Sequence, residues 1–526
     1  PLNHRGYDFD QVITHLSFGT EGFYGVPIYV SATYIFLFIL FGSFLERAGM
    51  IQLFTDVSLG LFGGTRGGPA KVAVFASGMM GTISGSGVAN VVTVGQFTIP
   101  LMIRFGYRRA FAAGVEATAS MGGQIMPPVM GAVAFIMAEN LNVPYAEIVK
   151  AAAIPAILYY VTAFWMVHLE AGRAKLLGLP KDQCPNPWRA MRESWYLVLP
   201  LAALVWMLFN GFTPMFSGMV GLALTAILIL GATLAARISG TAFRFVFWIG
   251  ASAFAKWGIY PILALIAVLA AACFGIKGGH KTLHTMKMSL VDGAKQALPV
   301  GVACAVVGVI IGILTLTGAA SSFAGFILQV GEKSLFLSLV LTMIVCLILG
   351  MGIPTIPNYI ITSAIAAPAL LKLGVPLIVS HMFVFYFGIM ADLTPPVALA
   401  AFAASSIAKE PPMKIGFKAV QVAIAGFVVP YMAVYDNALM LQGDWTVLAV
   451  AYIVFKAVVS IALWGAAAIG FMFAPLNWLE RLSAAAAAFF LVAAIPLTDE
   501  IGFVLAALFL GWHGWRSRRA AQTDFS

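Results

Sequence analysis

The chain has 526 residues, of which 61% are hydrophobic and only 10% charged, where an ordinary soluble domain carries about 25%. Together with a mean hydropathy of +0.95, this excludes a soluble enzyme, a disordered chain and a nucleic-acid-binding protein. It predicts an all-α polytopic membrane protein with about a dozen crossings of roughly 20 apolar residues each, and assigns the net charge of +9 to Lys and Arg in cytoplasmic loops.

In chain order, 1–25 reads as an extracytoplasmic N-terminal segment. Apolar runs then predict spans at 26–46, 109–139, 145–171, 194–210 and 215–236, with a longer apolar region at 243–274 taken as two short, tilted crossings. Further spans follow at 297–318, 377–407, 413–436, 445–468, 483–496 and 501–515. Two long apolar segments, 70–103 and 338–373, are cut midway by Gly, Pro, Ser, Thr and Asn. They read as re-entrant hairpins, because non-helical backbone at membrane depth is tolerated only where protein or a watery cavity covers it. Cys184, Cys273, Cys304 and Cys346 have neither metal-ligand nor redox spacing and read as structural. The chain begins at Pro1, and a segment upstream of it is expected.

The punctuation repeats at an offset of 268 residues. Asn90 recurs as Asn358, Pro100 as Pro368, Gly106 as Gly374, Pro127-Pro128-Val129 as Pro395-Pro396-Val397, and Ala132 as Ala400. Positive-inside counting orients the two copies. Arg104, Arg108 and Arg109, then Arg173, Lys175, Lys181, Arg189 and Arg192, place the base of the first hairpin inside. The base of the second carries only Lys372, and 436–444 carries Asp436 and Asp444 without a cation, which places both outside. Arg516, Arg518 and Arg519 put the C-terminus inside. The expected organisation is an inverted repeat: 26–171, connecting scaffold helices 172–293, 294–436, and a C-terminal membrane extension 437–526. Inverted repeats are the common architecture of secondary transporters.

A helix broken at the midplane presents N–H groups to an anion and carbonyl oxygens to a small hard cation. Breaks are expected at both hairpin tips and at 121–128 and 389–396. Ser84, Ser86, Asn90 and Gln124 in copy one, and Gly350, Gly352, Thr355, Asn358, Asp392 and Thr394 in copy two, form candidate cation sites suited to Na⁺ rather than zinc. Taken singly, each Ser or Thr reads as a hydroxyl bonded back to its own helix. Ser86, Gly87, Asn90, Glu116, Thr355, Asn358 and Pro396 are the candidate substrate contacts. Asp392 reads as a cation- or proton-coupling group or as half of a structural salt bridge, and Glu116 is open in the same way. His381 reads as a packing residue. Arg66 and Lys71 lie near span ends and reach headgroups or water. Neither a nucleophile elbow with a plausible His nor a complete phosphate loop is found, so no enzyme activity is expected.

At these residues the sequence resembles the large membrane subunit of the TRAP (tripartite ATP-independent periplasmic) transporters, with the nearer likeness to TAXI-type permeases, in which small and large membrane subunits are often fused. The motifs are Ser84-Gly85-Ser86-Gly87-Val88-Ala89-Asn90, Gly114-Val115-Glu116-Ala117-Thr118-Ala119-Ser120, Gln124-Ile125-Met126-Pro127-Pro128, Gly350-Met351-Gly352-Ile353-Pro354-Thr355 and Asp392-Leu393-Thr394-Pro395-Pro396-Val397, and the likeness covers about 20–436. The resemblance implies an ion-transporter-superfamily fold of elevator type in a bacterial inner membrane. It also implies Na⁺ coupling, a periplasmic substrate-binding protein (TAXI type) and a small organic-acid or amino-acid substrate. The family's four-helix small membrane subunit is expected either upstream of Pro1 or as a separate partner. Asp392 is more acidic than the corresponding position of many relatives, which leaves H⁺ open as the coupling ion. The alternatives are a stand-alone anion symporter of the same fold, a channel, or an intramembrane enzyme.

Overall fold

The computed structural model describes residues 6–235, 250, 259–331, 334–492 and 496–523. Among them every regular element is a helix, apart from one isolated antiparallel bridge between Phe471 and Pro475. Six of these helices are long and apolar enough to cross a membrane, and a seventh span is made if a pair bent by 43° is counted as one. Most of 243–258 lies outside the described residues, so the two-crossing reading of 243–274 falls partly on residues about which nothing is stated.

The N-terminal helix α1 (Phe9–Ser17) and the turns after it lie along a long helix from the middle of the chain. His15 Nε2 is 2.9 Å from the Gly312 carbonyl. Side chains at Gly308 and Gly312 would collide with the backbone of Gly22 and Glu21, so this strap needs glycine on that face. Helix α2 (Val26–Ala48) follows and ends at Gly49, with φ +108°, a left-handed conformation that glycine adopts without a Cβ clash. The chain then turns into α3 (Met50–Phe62). No span was expected there. The helix is apolar but only 13 residues long, and Gln52, which donates to Asp56 one turn on (2.8 Å), cuts its apolar run.

The first cut segment forms α4 (Gly68–Ser84), a turn with Gly85 at φ +67°, α5 (Gly87–Thr93) and α6 (Gly95–Arg104). The next span is interrupted, giving α7 (Arg109–Gly122) and α8 (Gly131–Leu141). Helix α9 (Tyr145–Arg173) then packs against both α4 and α7. The connecting region supplies α10 (Pro187–Ser194), α11 (Leu199–Phe209), α12 (Pro214–Ala235) and α13 (Ile259–Gly275).

The second copy opens on α14 (Gly279–Thr317). Here the expectation is corrected. The span was expected to begin at 297, but the cationic stretch before it is continuous with it as the first half of a 39-residue helix. At about 58 Å, that helix far exceeds the roughly 30 Å hydrocarbon core. Lys281, His284, Lys287 and Lys295 are exposed along it, and Asp292 pairs with Arg47 of α2. Gly318 (φ +69°) then reverses the chain into α15 (Ala319–Gly331), a second short helix that had not been expected, placed as α3 is in copy one. The second cut segment forms α16 (Leu335–Leu349) and α17 (Thr355–Lys372), with Gly352 at φ +78° in the turn. The interrupted span is α18 (Leu377–Ala391) and α19 (Leu399–Ala408), followed by the bent pair α20 (Pro412–Val422) and α21 (Ile424–Tyr435).

The C-terminal region is a three-helix unit, α22 (Val447–Ile469), α23 (Trp478–Val492) and α24 (Pro496–Thr523). The last two were expected to be short at 483–496 and 501–515. They begin earlier because the polar residues that cut the apolar runs are paired inside the helices. Lys456 bonds Asp499 at 3.0 Å, and Tyr452 donates to the same carboxylate at 2.8 Å. Glu480 is held by Arg516 at 2.7 Å, with His513 at 3.3 Å and the Asn477 amide at 2.9 Å. The unit docks on α9 through α22, where Trp165 Nε1 donates to the Ala462 carbonyl (3.2 Å) and Gly465 leaves room for the indole.

Candidate functional site

Each hairpin turn lies against the break in the helix that follows it. In copy one, Thr82 donates to the Met126 carbonyl at 2.6 Å, and a Cβ on Gly131 (φ +64°) would stand 2.7 Å from the Gly85 Cα. In copy two, a Cβ on Gly352 would meet Val397 at 3.5 Å. The breaks run over 123–130 and 392–398, about two residues later than the sequence predicted. Gly122 and Gly123 stay in right-handed helical geometry, and a short 3-10 turn over Gly123–Ile125 carries the chain on. Only the approach to Pro127, whose predecessor is disfavoured in the helical region, unwinds it. Both Pro127–Pro128 and Pro395–Pro396 peptide bonds are cis, and the residues just before α8 and α19, Met130 and Ala398, both have positive φ (56° and 42°). The freed carbonyls of Pro128 and Val129 accept from Tyr145, at 2.8 and 2.7 Å.

The two asparagines related by the 268-residue offset are held alike. Asn90 Nδ2 donates to the Ser77 carbonyl (2.9 Å) and to Ser120 Oγ (3.0 Å). Asn358 Nδ2 donates to the Gly388 carbonyl (2.9 Å), and Gly388 occupies the position of Ser120 in the second copy. Both side chains are fully buried, and in both the Oδ1 atom has no hydrogen-bond partner. The second pair is Gln124 and Asp392, again 268 apart. Gln124 Oε1 is unpartnered, and a Cβ on Gly87 would press on its amide nitrogen. Asp392 accepts from Thr355 Oγ1 at 2.9 Å through Oδ2, while Oδ1 is unpartnered. Gly87 and Thr355 are themselves equivalent positions. An unpartnered buried acceptor costs about 1–3 kcal/mol, so four oxygens left open at paired positions call for a donor or a cation. Other unpartnered buried groups, such as Thr342 Oγ1 and Tyr386 OH, have no unpartnered counterpart at the same offset.

The remaining sequence candidates divide. Ser84 and Ser86 are half-buried at the first tip, where Ser86 Oγ caps α5 by accepting from the Ala89 amide (3.3 Å). Gly352 and Pro396 are exposed, and Thr394 bonds back to the Met390 carbonyl (2.7 Å), the local use expected of a lone hydroxyl. Gly350 lets α16 approach the Asn358 amide. Glu116 is set apart from the tips. It is fully enclosed, and both carboxylate oxygens accept from hydroxyls: Ser77 and Ser120 (2.9 Å) on Oε1, Thr98 on Oε2. Ser77, Thr98 and Ser120 were not picked out from the sequence. Only Ser120, one turn after Glu116, was legible by spacing; the other two arrive from α4 and α6. His381 packs as expected, its Nδ1 2.8 Å from the Tyr359 hydroxyl.

Fold and site together define a polytopic helical membrane protein whose polar groups are gathered at paired breaks in its helices. The family described as tripartite ATP-independent periplasmic transporter, DctM component, matches residues 6–447, and the chain belongs to it. It is 29% identical over 178 residues to the C4-dicarboxylate TRAP transporter large permease protein DctM of Pseudomonas aeruginosa, covering 34% of this chain and 41% of that protein. It is 25% identical over 178 residues to the sialic acid TRAP transporter large permease protein SiaM of Vibrio cholerae, 34% and 41%. It is 26% identical over 184 residues to the 2,3-diketo-L-gulonate TRAP transporter large permease protein YiaN of Escherichia coli, 35% and 43%. The aligned stretch thus spans about two-fifths of these relatives' length. The family and the named relatives are transporter components, not enzymes.

Proposed function

We propose that the chain is the permease of a TRAP transporter, importing a small organic acid down a cation gradient across a bacterial inner membrane. A periplasmic substrate-binding protein, of TAXI type by the motif likeness, delivers the substrate, and a four-helix small membrane subunit completes the assembly. Residues 26–171 and 294–436 form inverted repeats that shuttle the site by an elevator motion. The N-terminus lies in the periplasm and the C-terminus in the cytoplasm. The observation that carries the reading is the set of four unpartnered buried oxygens: Asn90 Oδ1 and Gln124 Oε1 in one copy, Asn358 Oδ1 and Asp392 Oδ1 in the other. Amide and carboxylate oxygens of this kind suit Na⁺. The half-buried Ser86 and the exposed Gly352 at the hairpin tips, with the exposed Pro396 at the second break, are where a substrate carboxylate is read. Glu116, enclosed and bonded through both oxygens to hydroxyls of the first copy, positions the first hairpin instead of touching substrate.

The test is thermal unfolding of the detergent-purified chain in Na⁺, K⁺ or choline at equal ionic strength. Ligand that binds only the native state raises the midpoint by linkage, by roughly 1.4 kcal/mol at ten times Kd. Na⁺ alone is expected to stabilise the wild type, and Asn90→Ala and Asn358→Ala each to lose part of that gain. A second reading has one observation in its favour: copy two carries a carboxylate where copy one carries an amide. If Na⁺ has no effect while the midpoint moves with pH in the wild type and not in Asp392→Asn, the coupling ion is H⁺ and the sodium sites are wrong.

A further inference from the structure

A cavity of about 660 Å³ opens between α4, α9 and α22. Along α9 it runs from Ile157 to His168, about 16 Å at about 1.5 Å per residue. That is close to the half-thickness of a hydrocarbon core of roughly 30 Å, so the groove spans one leaflet. Its deep end is wholly apolar, formed by Met126 and Met79 on the hairpin side and by Val458 and Ile461 of the C-terminal unit. Gly78 keeps it open by letting α4 seat on the Tyr160 ring, whose hydroxyl is turned away to the Ala119 carbonyl (2.7 Å).

The shallow end is different. Lys71 and His168 line it, and Arg66 lies beside them, its guanidinium laid across α9 where Gly172 has no side chain. Lys71 reaches only Thr65 Oγ1, at 3.4 Å, and neither Arg66 nor Lys71 takes part in an ion pair among the described residues. Glu170, the nearby carboxylate of α9, is already occupied by Arg173 at 2.7 Å. Two uncompensated cations at the mouth of an apolar groove one leaflet deep are complementary to an amphiphile with an anionic head.

We propose that this groove is a binding site for one acidic phospholipid, with an acyl chain between α4, α9 and α22 and the phosphate held by Arg66 and Lys71. One wall belongs to the hairpin element and another to the C-terminal unit, so the lipid completes the contact between them. The site does not rest on the transport reading and stands or falls independently of it.

The experiment is native mass spectrometry of the full chain in detergent, with thermal unfolding alongside, titrating phosphatidylglycerol, phosphatidylcholine or inorganic phosphate. One phosphatidylglycerol is expected to be retained and to raise the midpoint, with phosphatidylcholine weaker and inorganic phosphate without effect. An Arg66→Gln/Lys71→Gln double variant should bind phosphatidylglycerol about tenfold or more weakly, because each cation near a membrane surface contributes about 1 kcal/mol. Ala462→Trp should exclude both lipids by filling the groove, and Val161→Trp serves if that variant does not fold. Equal binding of the two lipids, or an unchanged double variant, overturns the proposal. A midpoint shift from inorganic phosphate equal to that from phosphatidylglycerol also overturns it, since the groove then contributes nothing.

Discussion

Single side chains decide the stability of the first hairpin. Glu116 has three hydroxyl donors, at least one on each carboxylate oxygen, so Glu116→Gln turns one accepting oxygen into an amide that faces a donor. The expected cost is about 1–3 kcal/mol, read as a lowered unfolding midpoint, with the stabilisation by Na⁺ unchanged. A loss of the Na⁺ response in that variant, with no loss of basal stability, would place Glu116 in the cation site and contradict its positioning role. Asn90 and Asn358 are the opposite case. Their amide nitrogens are structural, while their oxygens are free to bind. Replacing Asn90 by Asp keeps the oxygens and disturbs the donor bonds to Ser77 and Ser120, so it should shift ion affinity less than Ala does.

At the level of elements, the contact between tip and break is set by glycine. Gly131→Ala places a methyl 2.7 Å from the Gly85 backbone at a positive φ. Backbone cannot yield as a flexible side chain can, so a loss of about 1–3 kcal/mol is expected, seen as faster proteolysis at the first hairpin turn. The C-terminal unit depends on its buried ion pair. Lys456→Ala leaves Asp499 facing only Tyr452 and should cost about 3–5 kcal/mol, whereas Lys456→Met with Asp499→Leu should recover most of it. Thermal unfolding of the single and double variants checks this. A single variant as stable as the wild type would mean that the pair is hydrated and not structural.

For the whole molecule, the orientation of the two copies is the decisive quantity. Cys184 is a free, half-buried thiol in the cationic loop after α9, while Cys273, Cys304 and Cys346 are buried. Gln442 lies in the loop that precedes the C-terminal unit. With inverted repeats, a membrane-impermeant maleimide added to intact cells should label Gln442→Cys in a Cys184→Ser background and leave the wild-type Cys184 untouched. Labelling of both from outside would contradict the charge-based orientation.

What was legible in the sequence follows from local physics. Long apolar runs announced helices because a bilayer satisfies no backbone group, and Gly and Pro at one fixed offset marked the breaks because those residues act on their own backbone. The elements that escaped were those whose signal is short or not local. Helices α3 and α15 are apolar but only 13 residues each, too short to register as spans. Helix α14 hid its first half behind lysines that a continuous helix carries without cost in water, and α24 looked short because the partner of Asp499 lies on another helix, while α23 is as short as expected but shifted. Asn90, Gln124, Asn358 and Asp392 were legible in the sequence as oxygens at two offset-related pairs of positions. Which of those oxygens remain unpartnered, and that Ser77 and Thr98 join Ser120 on Glu116, depends on which faces of α4, α6 and α7 meet. Only tertiary packing decides that, because a hydrogen bond is satisfied by geometry between elements and not by composition.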